Sequence, residues 1–143
     1  MKAKEYLKQA YRLDKIIASM VMELEGMKLT VDSVQSPSFG ERVQTSRDNE
    51  ARFVKKLYKI EEFEERLSGK IDHLLSLKNQ ISEVIGNIKN QDEQLVLRHR
   101  YLFGHTWEQI SEELYADPTT IYRWHLKALK NVVLPDDIIL INK

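Results

Sequence analysis

The amino-acid sequence predicts an all-α fold, a heptad-patterned helical hairpin or coiled coil followed by a helix-turn-helix bundle. Three observations carry that expectation. Apolar side chains recur at alternating four- and three-residue steps through two long segments, the spacing that lines up one face of an α-helix. Residues 91–131 carry helix start and stop signals at intervals suited to three short helices. Pro37 and Gly40 fall together between the two long segments, and Pro135 follows the last of the short helices. The expected organisation is a helical assembly region over 1–90 with a loop at about 28–47, a helix-turn-helix domain over 91–134, and an apolar tail over 135–143.

The first helix is read from Tyr6, Ala10, Leu13, Ile17, Met20, Leu24 and Met27, a heptad stripe. The stretch KLTVDSVQSPSFGERVQTSR follows, rich in hydroxyls and long for a connection inside a compact unit. It reads as a plain connection or, alternatively, as a segment whose Arg42, Gln44, Thr45, Ser46 and Arg47 contact a partner or a phosphate backbone. The second stripe runs through Leu57, Ile60, Glu64, Leu67, Ile71, Leu74, Lys78, Ile81, Ile85 and Ile88, on a helix expected from about Asp48 to Lys89. Ser68-Gly69 interrupts it without shifting its phase, and because glycine costs about 1 kcal/mol in a helix interior, a bend or local weakening is expected there.

The first helix is the shorter, so a hairpin leaves apolar positions of the second to be buried elsewhere. Leu57, Ile60, Leu67, Ile71, Leu74, Ile81, Ile85 and Ile88 are therefore the candidates for oligomer or helix packing, and a homo-oligomer is expected. Glu64 and Lys78 share one heptad position, where a parallel in-register dimer would set each against its own copy. Antiparallel packing, within or between chains, avoids that repulsion.

In the 91–131 stretch the second short helix opens with Thr106-Trp107-Glu108-Gln109, a capping box, and presents Trp107, Ile110 and Leu114 on one face. Tyr115-Ala116 supplies the turn, Asp117 a cap, and Pro118 the first position of the third helix, where a missing amide costs nothing. On that helix Ile121, Trp124, Ala128, Leu129 and Val132 fall on one side, while Thr119, Tyr122, Arg123, Leu126, Lys127 and Lys130 fall on the other. From Pro118 to Leu134 there are three cations and no carboxylate. A helix-turn-helix places the N-terminal part of its last helix in the major groove, which makes Thr119, Tyr122 and Arg123 the candidates for base readout on double-stranded DNA. Lys127, Lys130 and Thr120 lie suitably for phosphates, and the amides near Thr106 and Trp107 offer a further phosphate site. Charge runs against an autonomous binder, because residues 91–143 hold six Lys plus Arg against eight Asp plus Glu. The apolar tail, Ile138 to Ile141, is expected to pack back on the helices or to engage a partner.

The segment LRHRYLFGHTWEQISEELYADPTTIYRWHLKAL resembles the fourth conserved region of bacterial sigma factors, the module that binds the promoter's upstream element. The chain as a whole resembles a family of small prophage proteins of Gram-positive bacteria, through YLKQAYRLDKII and ERVQTS. These resemblances imply a transcriptional regulator, an accessory sigma-like factor in which Thr119, Tyr122 and Arg123 match base-facing positions. RNA polymerase is a second partner that they imply. Pro118 stands where sigma factors often carry an arginine.

Other functions find less in the residues. With no cysteine, there is no disulfide framework and no thiolate metal site. His99, His105 and His125 match no zinc spacing, so no metal or cofactor is expected. Glu61-Glu62 and Glu64-Glu65 lie among lysines at helical spacing and read as charge pairs, not as an acid-base site, and the chain reads as a non-enzyme. No apolar run suits a membrane span, and a cytoplasmic location is expected. Two alternatives stand beside the regulator: a small subunit of a phage DNA-packaging motor, and an interaction module that binds RNA polymerase without DNA.

Overall fold

The computed structural model describes residues 1–35 and 43–141, with side-chain surroundings for 1–32 and 48–141. All regular structure among these residues is helical: α1 Ala3–Gln35, α2 Val43–Gly86, α3 Gln91–Leu97, α4 Trp107–Leu114 and α5 Pro118–Asn131, with a π-helical turn Arg98–Leu102 after α3. The all-α expectation holds. Within 28–47, where a loop was expected, α1 continues to Gln35 and α2 begins at Val43. Hydroxyl residues are accommodated in α1 by bonding its own carbonyls: Ser19 Oγ donates to the Ile16 carbonyl at 2.7 Å and Thr30 Oγ1 to the Gly26 carbonyl at 3.0 Å. Val31, four residues beyond Met27, continues the stripe and is buried. Pro37, Gly40 and Arg42, and the side chains of Gln44, Thr45, Ser46 and Arg47, lie outside the described residues.

The chain divides into two compact units, Met1–Lys15 with Asp72–Lys143, and Ile16–Ile71. The boundary expected near residue 90 falls inside the first of these. Within Ile16–Ile71 the segments of α1 and α2 run antiparallel: Lys28 Nζ lies 3.9 Å from Glu64 Oε2, while Met27, Thr30 and Val31 line one hollow with Lys56, Lys59 and Ile60. Val31, Ile60, Phe63 and Leu67 are buried, and Ile17, Met20, Leu24 and Met27 half-buried.

Six of the eight residues assigned to the packing face, Ile60, Leu67, Leu74, Ile81, Ile85 and Ile88, are buried. Ile60, Leu67, Leu74, Ile81 and Ile88 form one buried column, and the second column is Phe63, Leu77 and Val84. Leu57 and Ile71, assigned to the packing face, are instead 42% and 38% exposed. Glu64, from the same column, is half-exposed in its pair with Lys28. Adjacent heptad columns lie side by side on a helix: in the column interrupted by Glu64 and Lys78 only Ile85 is buried, while Phe63, Leu77 and Val84 on the other flank remove further apolar surface from water. Through Ser68-Gly69, where a bend or local weakening was expected, α2 runs on as helix.

In the other unit, Tyr6, Leu7, Ala10 and Leu13 of α1 are buried, as are Leu74, Leu77, Ile81, Val84 and Ile85 of α2. The Tyr6 hydroxyl donates to Gln80 Oε1 at 2.7 Å. Lys78 Nζ sits 3.0 Å from Asp14 Oδ2 and donates to the Leu102 carbonyl at 3.2 Å, so this cation is partnered across elements. The tail packs on the same unit. Gln9 Nε2 donates to the Ile139 carbonyl at 3.1 Å and its Oε1 accepts the Ile141 amide at 3.2 Å, as a neighbouring β-strand would. Gln80 Nε2 donates to the Asp137 carbonyl at 2.7 Å, and its Oε1 accepts the Ile139 amide at 3.1 Å.

Candidate functional site

The last three helices enclose Val96, Ile110 and Ile121, each 0% exposed, with Trp107, Leu114, Ala116 and Trp124 packed against them. Local chemistry sets each element. Asn90 caps α3 by accepting the Glu93 amide at 3.1 Å, and the buried Glu93 carboxylate accepts a bond from Asn131 Nδ2 at the end of α5. The π turn then widens the helix, with the Phe103 amide donating to the Arg98 carbonyl at 3.0 Å. Gly104 follows at φ 69°, a conformation that favours glycine.

The capping box of α4 is complete: the Gln109 amide donates to Thr106 Oγ1 at 3.2 Å and the Thr106 amide to Gln109 Oε1 at 2.8 Å. Tyr115 ends α4 in the left-handed region, φ 52°, and the Ala116 amide reaches back to the Ser111 carbonyl at 3.2 Å. Ser111 Oγ donates to the Ala116 carbonyl, closing the turn. Pro118 begins α5 as expected, but Asp117 caps through its backbone only: its carbonyl accepts the Ile121 amide at 2.9 Å and its carboxylate makes no capping bond. The fixed φ of Pro118 starts the helix without one.

The two faces of α5 separate as the spacing implies. Ile121, His125 and Ala128 are buried, and Trp124 and Leu129 half-buried. Thr119, Tyr122, Arg123, Leu126, Lys127 and Lys130 are exposed. The three residues assigned to base readout thus share an open face, with the two lysines further along it. Thr120 differs from them: it lines a shallow groove with Glu112 and Asp117, where phosphate would meet two carboxylates. The Thr106 amide is committed to the capping box. Trp107 is a packing residue, its ring 4.8 Å from that of His125 and 5.6 Å from that of Tyr122, with the Arg100 guanidinium 4.4 Å from its centroid. Glu108 in the first turn further weakens that helix end as an anion site.

The histidines form two separate pairs. His99 and His105 face each other through Nδ1 atoms 2.9 Å apart, and burial, reinforced by His105 and opposed by Glu113, holds His99 below its usual pKa. His125 Nε2 lies 2.7 Å from the Tyr101 hydroxyl. Burial, then the charges of Lys4 and Arg100, push His125 down to about 4, and burial pushes Tyr101 up to about 12. Among the described residues no group of three His, Cys, Asp or Glu side chains is placed to hold a metal ion.

Sequence reasoning did not find a cleft of about 400 Å³ beside α5. Lys4, Lys8 and Tyr11 of α1 line it with Arg100 and Tyr101 of the π turn, Trp107 and Tyr122. Lys4, Lys8 and Tyr11 share one face of α1 by helical spacing, but no linear pattern says that this face meets the start of α4.

Fold and site together define an all-α protein whose last three helices share one core and whose α5 leaves Thr119, Tyr122, Arg123, Leu126, Lys127 and Lys130 exposed. The chain belongs to the family described as "Protein of unknown function (DUF1492)", whose profile matches residues 33–133. No curated protein and no solved structure matches the chain. Among the described residues no helix is long and apolar enough to cross a membrane.

Proposed function

We propose that the chain is a sequence-specific DNA-binding transcriptional regulator, an accessory sigma-like factor of prophage origin acting in the cytoplasm. The observation that carries the reading is the division of α5, with Ile121, His125 and Ala128 buried and Thr119, Tyr122 and Arg123 open together at its N-terminal half. A helix so presented suits the major groove, where the Arg123 guanidinium can pair with guanine and the Thr119 and Tyr122 hydroxyls can meet other base edges. Lys127 and Lys130 then meet phosphates.

Self-association belongs to the reading, because Leu57 and Ile71 remain exposed and a second copy would double the phosphate contacts. Sedimentation of Leu57→Ala beside the unsubstituted chain checks it; identical monomeric profiles would remove this part.

Binding-site selection with the purified chain, followed by affinity measurements, tests the main claim. Arg123→Ala should cost about 1 to 3 kcal/mol and relax preference at one base position, whereas Lys130→Ala should weaken binding to all sequences alike. Equal and small effects from both substitutions would sink the readout model.

A second reading has its own support. Tyr115 is 96% exposed at the turn, and Glu112 and Asp117 lie in the groove it borders, a surface suited to a basic patch on a protein partner, for which RNA polymerase is the candidate. Binding to polymerase with no duplex binding at low salt would favour it.

A further inference from the structure

We infer that the cleft lined by Lys4, Lys8 and Arg100 is a phosphate clamp that holds one DNA strand's sugar-phosphate backbone beside the Tyr122 face of α5; this rests on the DNA-reading role proposed above.

The lining of that cleft has three cations and no carboxylate. Among the described residues no acidic side chain pairs with Lys4, Lys8 or Arg100, in contrast to Lys28 with Glu64 and Lys78 with Asp14. Arg100 is instead fixed by neutral groups: it donates to the His105 carbonyl at 3.1 Å and lies over the Trp107 ring, so its charge is positioned but not neutralised. The uncompensated field reaches His125, where Lys4 and Arg100 add to burial in disfavouring the charged imidazole.

Tyr122 belongs both to the cleft wall and to the exposed face of α5, and Trp107, the first residue of α4, forms another part of the wall. In helix-turn-helix docking the helix before the reading helix crosses the DNA backbone, so a strand passing α5 runs into this cleft. Tyr11, 38% exposed, offers its phenol hydroxyl to a phosphate oxygen, and the Tyr122 ring, whose hydroxyl is left for the bases, offers its face to deoxyribose. The inference also answers the charge deficit. Residues 91–143 carry two more acids than cations, six against eight, and Lys4 and Lys8 of α1 bring cations to the reading face from the other end of the chain. A free nucleotide offers the same phosphate chemistry, so the test must separate it from a strand.

The full chain is titrated with its selected duplex and with a scrambled duplex across a range of salt concentrations. Lys4→Ala with Lys8→Ala should lower the slope of log affinity against log salt by about two and weaken both duplexes by the same factor. The paired arginine variant, Lys4→Arg with Lys8→Arg, should keep the slope of the unsubstituted chain. If the unsubstituted chain binds no duplex, the DNA-reading role fails. If it binds and the alanine pair leaves the slope unchanged, the clamp alone is overturned. Deoxyadenosine monophosphate binding that the alanine pair abolishes, with the duplex slope unchanged, would also overturn it and give the cleft to a small anion.

Discussion

His125 shows how one side chain can tie the last helix to the rest of its unit and make that tie sensitive to pH. Its Nε2 meets the Tyr101 hydroxyl at 2.7 Å, its ring lies 4.8 Å from that of Trp107, and the residue is 1% exposed. Among the described residues its Nδ1 has no hydrogen-bond partner, so a charge there is neither solvated nor bonded. With the folded pKa near 4 and the unfolded one at the ordinary 6.5, the unfolded chain binds the proton first as pH falls. The stability that the neutral imidazole contributes is therefore complete above about pH 6.5 and is lost progressively toward pH 4, in total about 3 kcal/mol. His99, also held below its usual pKa by burial, adds in the same direction. Chemical denaturation of the unsubstituted chain and of His125→Phe at a series of pH values checks this. The difference between the two curves should move by about 3 kcal/mol from pH 7 to pH 4, and a constant difference would show that His125 does not titrate with folding.

At the scale of elements, the sequence made the existence and type of the helices plain, and left open which flank of the α2 seam is buried. The Thr106–Gln109 capping box was legible because both of its bonds join near neighbours, and both are present. The two faces of α5 were legible because a single helical stripe suffices to assign them. The α2 seam is a harder problem: the column Ile60, Leu67, Leu74, Ile81, Ile88 has an apolar column on each side, one with Leu57, Ile71 and Ile85, of which only Ile85 is buried, the other with Phe63, Leu77 and Val84. Two charges interrupt the first flank, Glu64 and Lys78, against Lys70 in the second, and that count carried the signal. The clamp cleft left no such trace, since Lys4 and Arg100 are brought together only by tertiary packing. The register gives a direct test. Leu77→Ala removes a fully buried side chain and should cost about 2 to 5 kcal/mol, while Leu57→Ala, already open to water, should cost the folded chain less than about 1. Denaturant midpoints of the two variants, measured at dilution, check the contrast, and a reversed order would restore the Leu57 register.

For the whole molecule, the compact unit that contains the last three helices is discontinuous in sequence, joining Met1–Lys15 to Asp72–Lys143. Two glutamines fasten its ends. Gln9, on α1, closes a two-bond amide bracket on the backbone at Ile139 and Ile141, and Gln80, on α2, links the Tyr6 hydroxyl to the backbone at Asp137 and Ile139. The chain thereby satisfies backbone groups of an apolar tail that Pro135 keeps from continuing α5, and the half-buried Ile138, Ile139 and Ile141 are held on the unit. The same docking fixes the first turns of α1, which bear Lys4 and Lys8. Each glutamine should therefore protect a different amide. In Gln80→Ala the Ile139 amide should exchange with solvent faster, and loss of the partner of the Tyr6 hydroxyl, on a residue 0% exposed, should cost roughly 1 to 3 kcal/mol. In Gln9→Ala the Ile141 amide should exchange faster while the Tyr6–Gln80 bond remains. Hydrogen exchange followed residue by residue reads both effects. No acceleration at either amide would mean that the tail is held by apolar packing alone, and equal acceleration across the whole tail in either variant would mean that it undocks as one unit, with no separate protection from the two brackets.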